Sequence, residues 1–254
     1  MDATQRVICV TGATSGIGKA TAQRFAREGW KVIAVGRRRE RLEALAQELG
    51  EICLPLPLDV SDRNAVAEAF ASLPDGFKPI DVLVNNAGGA LGLEGAVKAS
   101  LDDWETMVDA NIKGVLYCTK AVIGEMAQRG SGHVINISSI ASFNAYPGAN
   151  VYGATKAFVS QFSRNLRADM HGTGVRVSVI EPGMLQSEFS TVRFKGDKNR
   201  ADSLYSGAEP LVPEDIADLT AYVVSVPPNV DIYQVRVTPT SQSDGGMRIY
   251  RKDS

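Results

Sequence analysis

Residues 11–18 read "TGATSGIG", immediately after the apolar run "RVICV" at 6–10 and immediately before a helical pattern. Gly12, Gly16 and Gly18 fall in G-x3-G-x-G spacing, so the general G-x-G-x-x-G expression does not match. The position at the first strand-to-helix turn is what makes the stretch informative. Glycines there let the backbone turn tightly and let a pyrophosphate approach the main chain. The free N–H groups at the start of the next helix supply donors. A turn that only needs positive φ is the plain alternative, and the strand–turn–helix setting argues for the anion cradle. Its lining residues are Gly12, Thr14, Ser15, Gly16, Ile17 and Gly18, with the helix starting near Ile17.

Working outward, β-rich runs alternate with helical patterns along the whole chain. Strands are expected in "RVICV", "KVIAVG", "EICLPLPLD", "DVLVNN", "HVINISS", "VRVSVIEP" and "YQVRVTP". Helices are expected in "RERLEALAQELG" and, as one long element, "WETMVDANIKGVLYCTKAVIGEMAQRG". Several strands are apolar at nearly every position, as a parallel sheet covered on both faces requires. The expectation is one α/β domain over residues 1–254, a doubly wound sheet of about seven parallel strands. Residues 184–209, "MLQSEFSTVRFKGDKNRADSLYSGAE", are polar and too long for an ordinary connection, so they read as a lid or binding loop. A tail follows at 241–254.

Composition narrows the function classes. The chain has 254 residues, 44% apolar and 22% charged, with a formal net charge of −2 and no basic stripe, which argues against nucleic acid or an anionic membrane as partner. No apolar run reaches the about 18–20 residues a membrane span needs. The N-terminus passes straight into a strand and leaves no room for a signal peptide. Cys9, Cys53 and Cys118 are odd in number and widely spaced, which suits reduced core thiols better than disulfides or a metal site. A cytoplasmic protein without a metal is expected.

Three further strand ends carry candidate chemistry. "VIAVGRRRERLE" offers Arg37 and Arg38 where a carboxylate would otherwise meet a ribose 2′-hydroxyl, so a 2′-phosphate, and NADP(H) over NAD(H), is indicated. Arg39 and Arg41 read as a solvated helix start. In "LPLDVSD", Asp59 either holds an adenine amino group, with Val60 flanking the ring, or caps the helix beginning near Asp62, and both readings stand open. "LVNNAGGALG" places Asn85, Asn86, Ala87 and Gly88 at a small-residue strand end that leaves space for a flat ligand and can tie strands to the turn. Finally, "VYGATKAF" sets Tyr152 and Lys156 four positions apart, hence on one helix face.

With "TGATSGIG", "NNAG", "NISS" and "YGATK" in this order, the chain resembles the short-chain dehydrogenase/reductase family over essentially its whole length. The stretches "KASLDDWETMVDANIKG", "ANVYGATKAF" and "SEFSTVRFKGD" resemble its branch of NADP-dependent 3-hydroxy acid dehydrogenases, which includes serine and allo-threonine dehydrogenases and malonic semialdehyde reductases. Sulfoacetaldehyde reductases are similar. The resemblance implies a Rossmann-type fold and a catalytic set of Asn111, Ser139, Tyr152 and Lys156. Ser139 is the second serine of "NISS", thirteen positions before Tyr152. It implies that Pro182, Gly183 and Ser187 hold the nicotinamide end, with Ser187 where many members have threonine. Tyr152 would move the proton, its pKa lowered from about 10 by the Lys156 ammonium. Lys156 would also hold the nicotinamide ribose, Ser139 would hold the substrate oxygen, and Asn111 would position a water that relays protons to Lys156.

For the substrate, Arg193, Lys195, Lys198 and Arg200 lie in the lid, and Arg193 is the candidate clamp for a carboxylate or sulfonate, with Ser139 and Tyr152 at the reacting carbon. Arg248, Tyr250 and Arg251 in the tail are candidates to reach a neighbouring subunit. The usual "DGG" after the last strand is displaced to 244–246. A homotetramer is expected from the resemblance, with a dimer as the smaller possibility. A dinucleotide-sensing regulator without turnover is the remote alternative.

Overall fold

A computed structural model describes residues 5–243 and Ile249; Arg248, Tyr250, Arg251 and the displaced "DGG" lie outside the described residues. The chain alternates strictly at first: β1 (Val7–Thr11), α1 (Gly16–Arg27), β2 (Lys31–Gly36), α2 (Arg39–Leu49), β3 (Cys53–Pro57), α3 (Arg63–Ala71) and β4 (Val82–Asn85). It continues through α4 (Leu101–Val108), α5 (Gly114–Arg129), β5 (Gly132–Ile137), α6 (Asn150–Asp169) and β6 (Val175–Pro182). The last elements are α7 (Glu188–Arg193), α8 (Lys198–Ser203), α9 (Pro213–Ser225) and β7 (Gln234–Val237).

The seven strands form one sheet in the order β3-β2-β1-β4-β5-β6-β7, every pairing parallel. All seven expected strands are present. Alternation along each strand splits the core in two. Ile8, Val10, Val32, Ala34 and Val84 face α1, α2 and α9, packing with Phe25, Leu42, Leu45 and Ile216. Val7, Cys9, Ile33, Val35 and Leu83 face α3, α5 and α6, packing with Val66, Phe70, Cys118, Val122, Met126 and Leu166. With both faces covered, each strand must be apolar on both sides, which is why the runs are nearly continuous. Successive strands after β1 run outward through β2 to β3, and the chain then returns to place β4 on the other side of β1. That switch opens a crevice at the C-terminal ends of β1 and β4.

Two local outcomes differ from the reading of the sequence. The long helix expected over 104–130 is broken by one π-helical turn, Asp109–Lys113, between α4 and α5. An inserted turn of this kind rotates one segment of a helix against the next and re-aims its side chains. The polar stretch 184–209 is not a plain loop: it folds into α7 and α8, each six residues long, capped by Ser187 and Asp197. Such short helices carry too few turns to show a 3.6-residue period. The three cysteines are buried and free. No helix among the described residues is long and apolar enough to cross a membrane.

Candidate active site

The β1–α1 turn is built so tightly that only glycine fits. Gly12 has φ +70°, and a Cβ on Gly18 would stand 2.3 Å from Gly12 O and 2.5 Å from Asn86 Nδ2. Asn86 locks the turn from the end of β4: its Nδ2 donates to Thr11 O (2.9 Å), and its backbone N–H donates to Thr11 Oγ1 (2.9 Å). Ala87 N–H shares that hydroxyl at 2.9 Å. Asn85, pointing the other way, is buried and donates to Thr119 Oγ1 and Asn136 Oδ1, so it ties strands together rather than lining the crevice.

The two arginines after β2 part company. Arg38 is built into the turn: Nε and Nη2 donate to Thr14 Oγ1 (2.9 and 2.6 Å), and Nη2 also donates to Ser15 Oγ (2.7 Å). Arg37 is 74% exposed and only 3.9 Å from Asp59. Arg41, read from sequence as solvated, instead pairs with Glu188 at 2.7 Å, and Glu188 also accepts from Arg38 Nη1 at 3.1 Å. The open question at Asp59 is partly resolved. The cap of α3 is Asp62, which accepts from Asn64 and Ala65 N–H, whereas Asp59 accepts from the backbone and hydroxyl of Ser61. Val60 is buried against Gly114.

The crevice floor is formed where β5, β6 and α6 meet. Tyr152 and Lys156 lie on one face of α6, both buried, with Lys156 Nζ 5.9 Å from the Tyr152 ring centre. Lys156 Nζ donates to Ile137 O at 2.9 Å, and burial pulls its ammonium down to about 8. Tyr152 moves in the opposite direction from that expected. Burial pushes its phenol up to about 12, against the lowering effect of the Ser139 hydroxyl, with Tyr146 raising it further and Arg193 lowering it. Desolvation of the phenolate outweighs the Ser139 hydroxyl and the Arg193 guanidinium, while the Lys156 ammonium is turned toward a backbone carbonyl. Ser139 caps the short turn Ile140–Ser142 and stands 3.5 Å from Pro182 O. Its neighbour Ser138 points away, donating to Lys156 O and contacting Ser160 Oγ.

Asn111 sits in the π turn and is fully engaged: Oδ1 accepts from Gly89 N–H, and Nδ2 donates to Gly89 O and Thr155 Oγ1, each at 2.9 Å. Thr155 in turn donates to Tyr152 O at 2.8 Å. Asn111 thus splices the loop after β4 to the helix of Tyr152. Gly88, at φ +150°, makes that approach possible, since a Cβ there would meet Asn111 Oδ1 at 2.3 Å.

The segment 184–209, the lid expected from the sequence, follows β6 and lies beside the glycine turn. Gly183 N–H donates to Val237 O, and the space a Cβ would need on Gly183 is taken by Gln242 Oε1 at 2.3 Å. Ser187 lies over the glycine turn, its Cβ 3.5 Å from where a Gly16 Cβ would stand. At the far end of α7, Arg193 is 8% exposed. Its Nε donates to Gly92 O (2.9 Å) and its Nη1 to Tyr146 OH (3.3 Å). Its guanidinium carbon is 5.8 Å from the Tyr152 ring centre, and Nη2 is buried without a partner. The other lid cations at least in part face outward: Lys195 pairs with Asp103 at 2.9 Å, and Arg200 stands 3.8 Å from Glu94. Tyr152 packs in an apolar cluster with Ala90, Met107 and Ala141, flanked by Leu91, Trp104, Tyr146 and Phe189. Tyr146, Glu188 and Arg41 were not singled out from the sequence. Their only signals were the shared stretch 187–197 and a basic helix start, and neither names a partner.

A tight glycine cradle, an arginine fork fixed to its hydroxyls, and half-buried Ser139 beside buried Tyr152 and Lys156 together suit a phosphorylated dinucleotide facing a small reactive group. Comparison with known proteins agrees. Residues 6–198 match the short chain dehydrogenase family. The NADP-dependent 3-hydroxy acid dehydrogenase YdfG of Salmonella typhi is 54% identical over 246 residues, 96% of this chain and 99% of that protein. Serine 3-dehydrogenase of Agrobacterium fabrum is 50% identical over 96% of this chain and 98% of its own length. The closed form of a serine dehydrogenase complexed with NADP+ superposes with a TM-score of 0.93 at 51% identity, covering 97% of this chain and 100% of that one. Sequence motif, sheet topology and crevice thus converge, and the chain belongs to the short-chain dehydrogenase family.

Proposed function

We propose that the protein is an NADP(H)-dependent oxidoreductase acting on a small 3-hydroxy acid or its carbonyl form, of the L-serine, allo-threonine or 3-hydroxypropionate/malonic semialdehyde type. The observation that carries the substrate class is Arg193: a guanidinium buried beside Tyr152, with Nη2 lacking a partner. A buried donor left unsatisfied is costly, and an anionic group on the substrate satisfies it. The apolar side chains packed around Tyr152 favour a small organic group beside that anion. A guanidinium also suits a sulfonate, but relatives at 50–54% identity are 3-hydroxy acid and serine dehydrogenases, which favours the carboxylate.

The protein's own residues fit the cofactor at both ends. Gly12, Thr14, Ser15, Gly16, Ile17 and Gly18 would receive the pyrophosphate, and Arg38 the 2′-phosphate, with Arg37 at its edge. Asp59 and Val60 would flank the adenine, Asn86, Ala87 and Gly88 the central crevice, and Pro182, Gly183 and Ser187 the nicotinamide end. Bound NADP(H) supplies the hydride in reduction and accepts it in oxidation.

Tyr152 is the general acid in reduction. A phenol held near 12 stays protonated at neutral pH and is ready to donate to the substrate oxygen, which Ser139 orients. In oxidation the same group must give up its proton, and the Ser139 hydroxyl and the Arg193 guanidinium favour the phenolate. Asn111 acts here as a positioning residue through Thr155 and the Tyr152 carbonyl. A cytoplasmic homotetramer is part of this reading. The family resemblance supports the assembly, which light scattering of the purified protein checks, and three free buried thiols suit a reducing compartment.

The deciding experiment follows nicotinamide absorbance with NADP+ or NAD+ against L-serine, allo-threonine and 3-hydroxypropionate, and with NADPH or NADH against malonic semialdehyde. NADP-preferring turnover of these acids is expected. Turnover of neutral short alcohols and aldehydes in preference to the acids would remove the substrate assignment.

A further inference from the structure

Among the described residues, Glu188 is the one carboxylate set on the guanidinium assigned to the 2′-phosphate. It is the first residue of α7 and half-exposed, and its Oε2 accepts from Arg38 Nη1 (3.1 Å) and Arg41 Nη1 (2.7 Å). Its Oε1 accepts from Arg41 Nη1 at 2.9 Å. Every nitrogen of Arg38 already has a partner: Nε and Nη2 are bound to Thr14 and Ser15, and Nη1 gives one of its two N–H groups to Glu188. Two guanidinium groups pull the Glu188 carboxyl below its ordinary value, Arg41 contributing first and Arg38 after it, so it is anionic at neutral pH.

We propose that Glu188 is a cofactor-discriminating residue, an internal anion that occupies the outward face of Arg38 and must yield it to the 2′-phosphate of NADP(H). This inference rests on Arg38 being the phosphate reader and goes one step beyond it. The charge count gives its sign. Arg38, Arg41 and Glu188 together carry +1; without the carboxylate they carry +2. A 2′-phosphate, with about −1.5 to −2 charge, meets a weaker field while Glu188 is present. A 2′-hydroxyl, uncharged, is nearly indifferent to the change. Glu188 keeps two contacts to Arg41 after surrendering Arg38, so the lid stays attached during the exchange. Glu188 and Arg193 are the two ends of one six-residue helix, which places the anion facing the phosphate reader and the proposed substrate clamp on the same short element.

The test is equilibrium binding by the full-length protein, independent of turnover. Dissociation constants are measured for NADPH, NADH, adenosine 2′,5′-bisphosphate and 5′-AMP in the wild type, Glu188→Gln, Arg38→Ala and the double variant. Glu188→Gln is expected to tighten NADPH and adenosine 2′,5′-bisphosphate about three- to tenfold at low salt, with NADH and 5′-AMP changed less than about twofold. The gain should vanish in the Arg38→Ala background and shrink as ionic strength rises. Weaker binding of the 2′-phosphorylated ligands in Glu188→Gln, or an equal shift for NADPH and NADH, overturns the inference. If Arg38→Ala alone leaves the NADPH-to-NADH ratio unchanged, the reading of Arg38 has failed, and this inference with it.

Discussion

Replacing Arg193 by lysine keeps the positive charge and discards the fork, which isolates what the geometry contributes. In the wild type three nitrogens do three jobs: Nε is held by Gly92 O at 2.9 Å, Nη1 by Tyr146 OH at 3.3 Å, and Nη2 is buried and free to donate. A lysine ammonium is a single point on a flexible stem. It can keep the bond to Gly92 or reach the substrate carboxylate, but it cannot span both. One charge-assisted hydrogen bond is therefore lost, worth about 1.5–3 kcal/mol, or roughly a 10- to 150-fold fall in kcat/KM for the acid substrate. Because Arg193 also pins α7 to the loop after β4, a general loosening of the lid would depress every substrate. The assay therefore compares malonic semialdehyde with propanal, which offers the same aldehyde without the carboxylate. Arg193→Lys should lower the acid-to-neutral ratio of kcat/KM by most of that factor, mainly through KM, while propanal changes by less than about threefold. An equal fall for both substrates would show that Arg193 is only a lid pin and would refute the clamp.

Other expectations are open to simpler measurements. Gly18→Ala places a methyl 2.3 Å from Gly12 O, about 1 Å inside contact distance, with Asn86 Nδ2 closing the other side. The cradle must open, so NADPH binding followed by fluorescence should weaken at least about thirtyfold, while the far-ultraviolet circular dichroism of the fold persists; wild-type affinity in Gly18→Ala would contradict the cradle. His133, which hydrogen-bonds Ser178 Oγ at 2.8 Å, is pulled down to about 3, by burial first and Arg176 second. Its neutral form is the folded form, so its stabilisation is complete above about pH 6.5 and declines as pH falls toward the folded value. Between pH 7 and pH 5 that amounts to roughly 2 kcal/mol, from 1.36 kcal/mol per pH unit. Urea unfolding at those two pH values should therefore show a flatter pH dependence in His133→Gln than in the wild type, and parallel curves would count against it.

What the sequence disclosed depended on how local the physics was. Seven strands were legible because double-sided burial writes itself into consecutive residues, and the glycine turn because its constraint spans eight positions, 11–18. Tyr152 and Lys156 were legible as neighbours because a helix puts i and i+4 together. Their pKa values were not, since the spacing reveals an ammonium nearby but not that it would turn to Ile137 O, nor that Phe189 and Met107 would strip water from the phenol. The π turn left no trace either: Asn111 needs one extra residue in the helix to face Thr155, and an apolar pattern of 3.6-residue period continues on both sides of it. The pairs that govern the lid are the most distant of all. Glu188 meets Arg38 across 150 positions, and Arg193 meets Gly92 across 101. A basic helix start and a polar lid each look solvated when read alone; only the fold brings them together and turns two ordinary surface charges into a competition for one arginine. The residues proposed to perform the chemistry are thus set by short-range geometry, while the charge balance that would rank one cofactor above another is set by tertiary contacts between segments that are unremarkable by themselves.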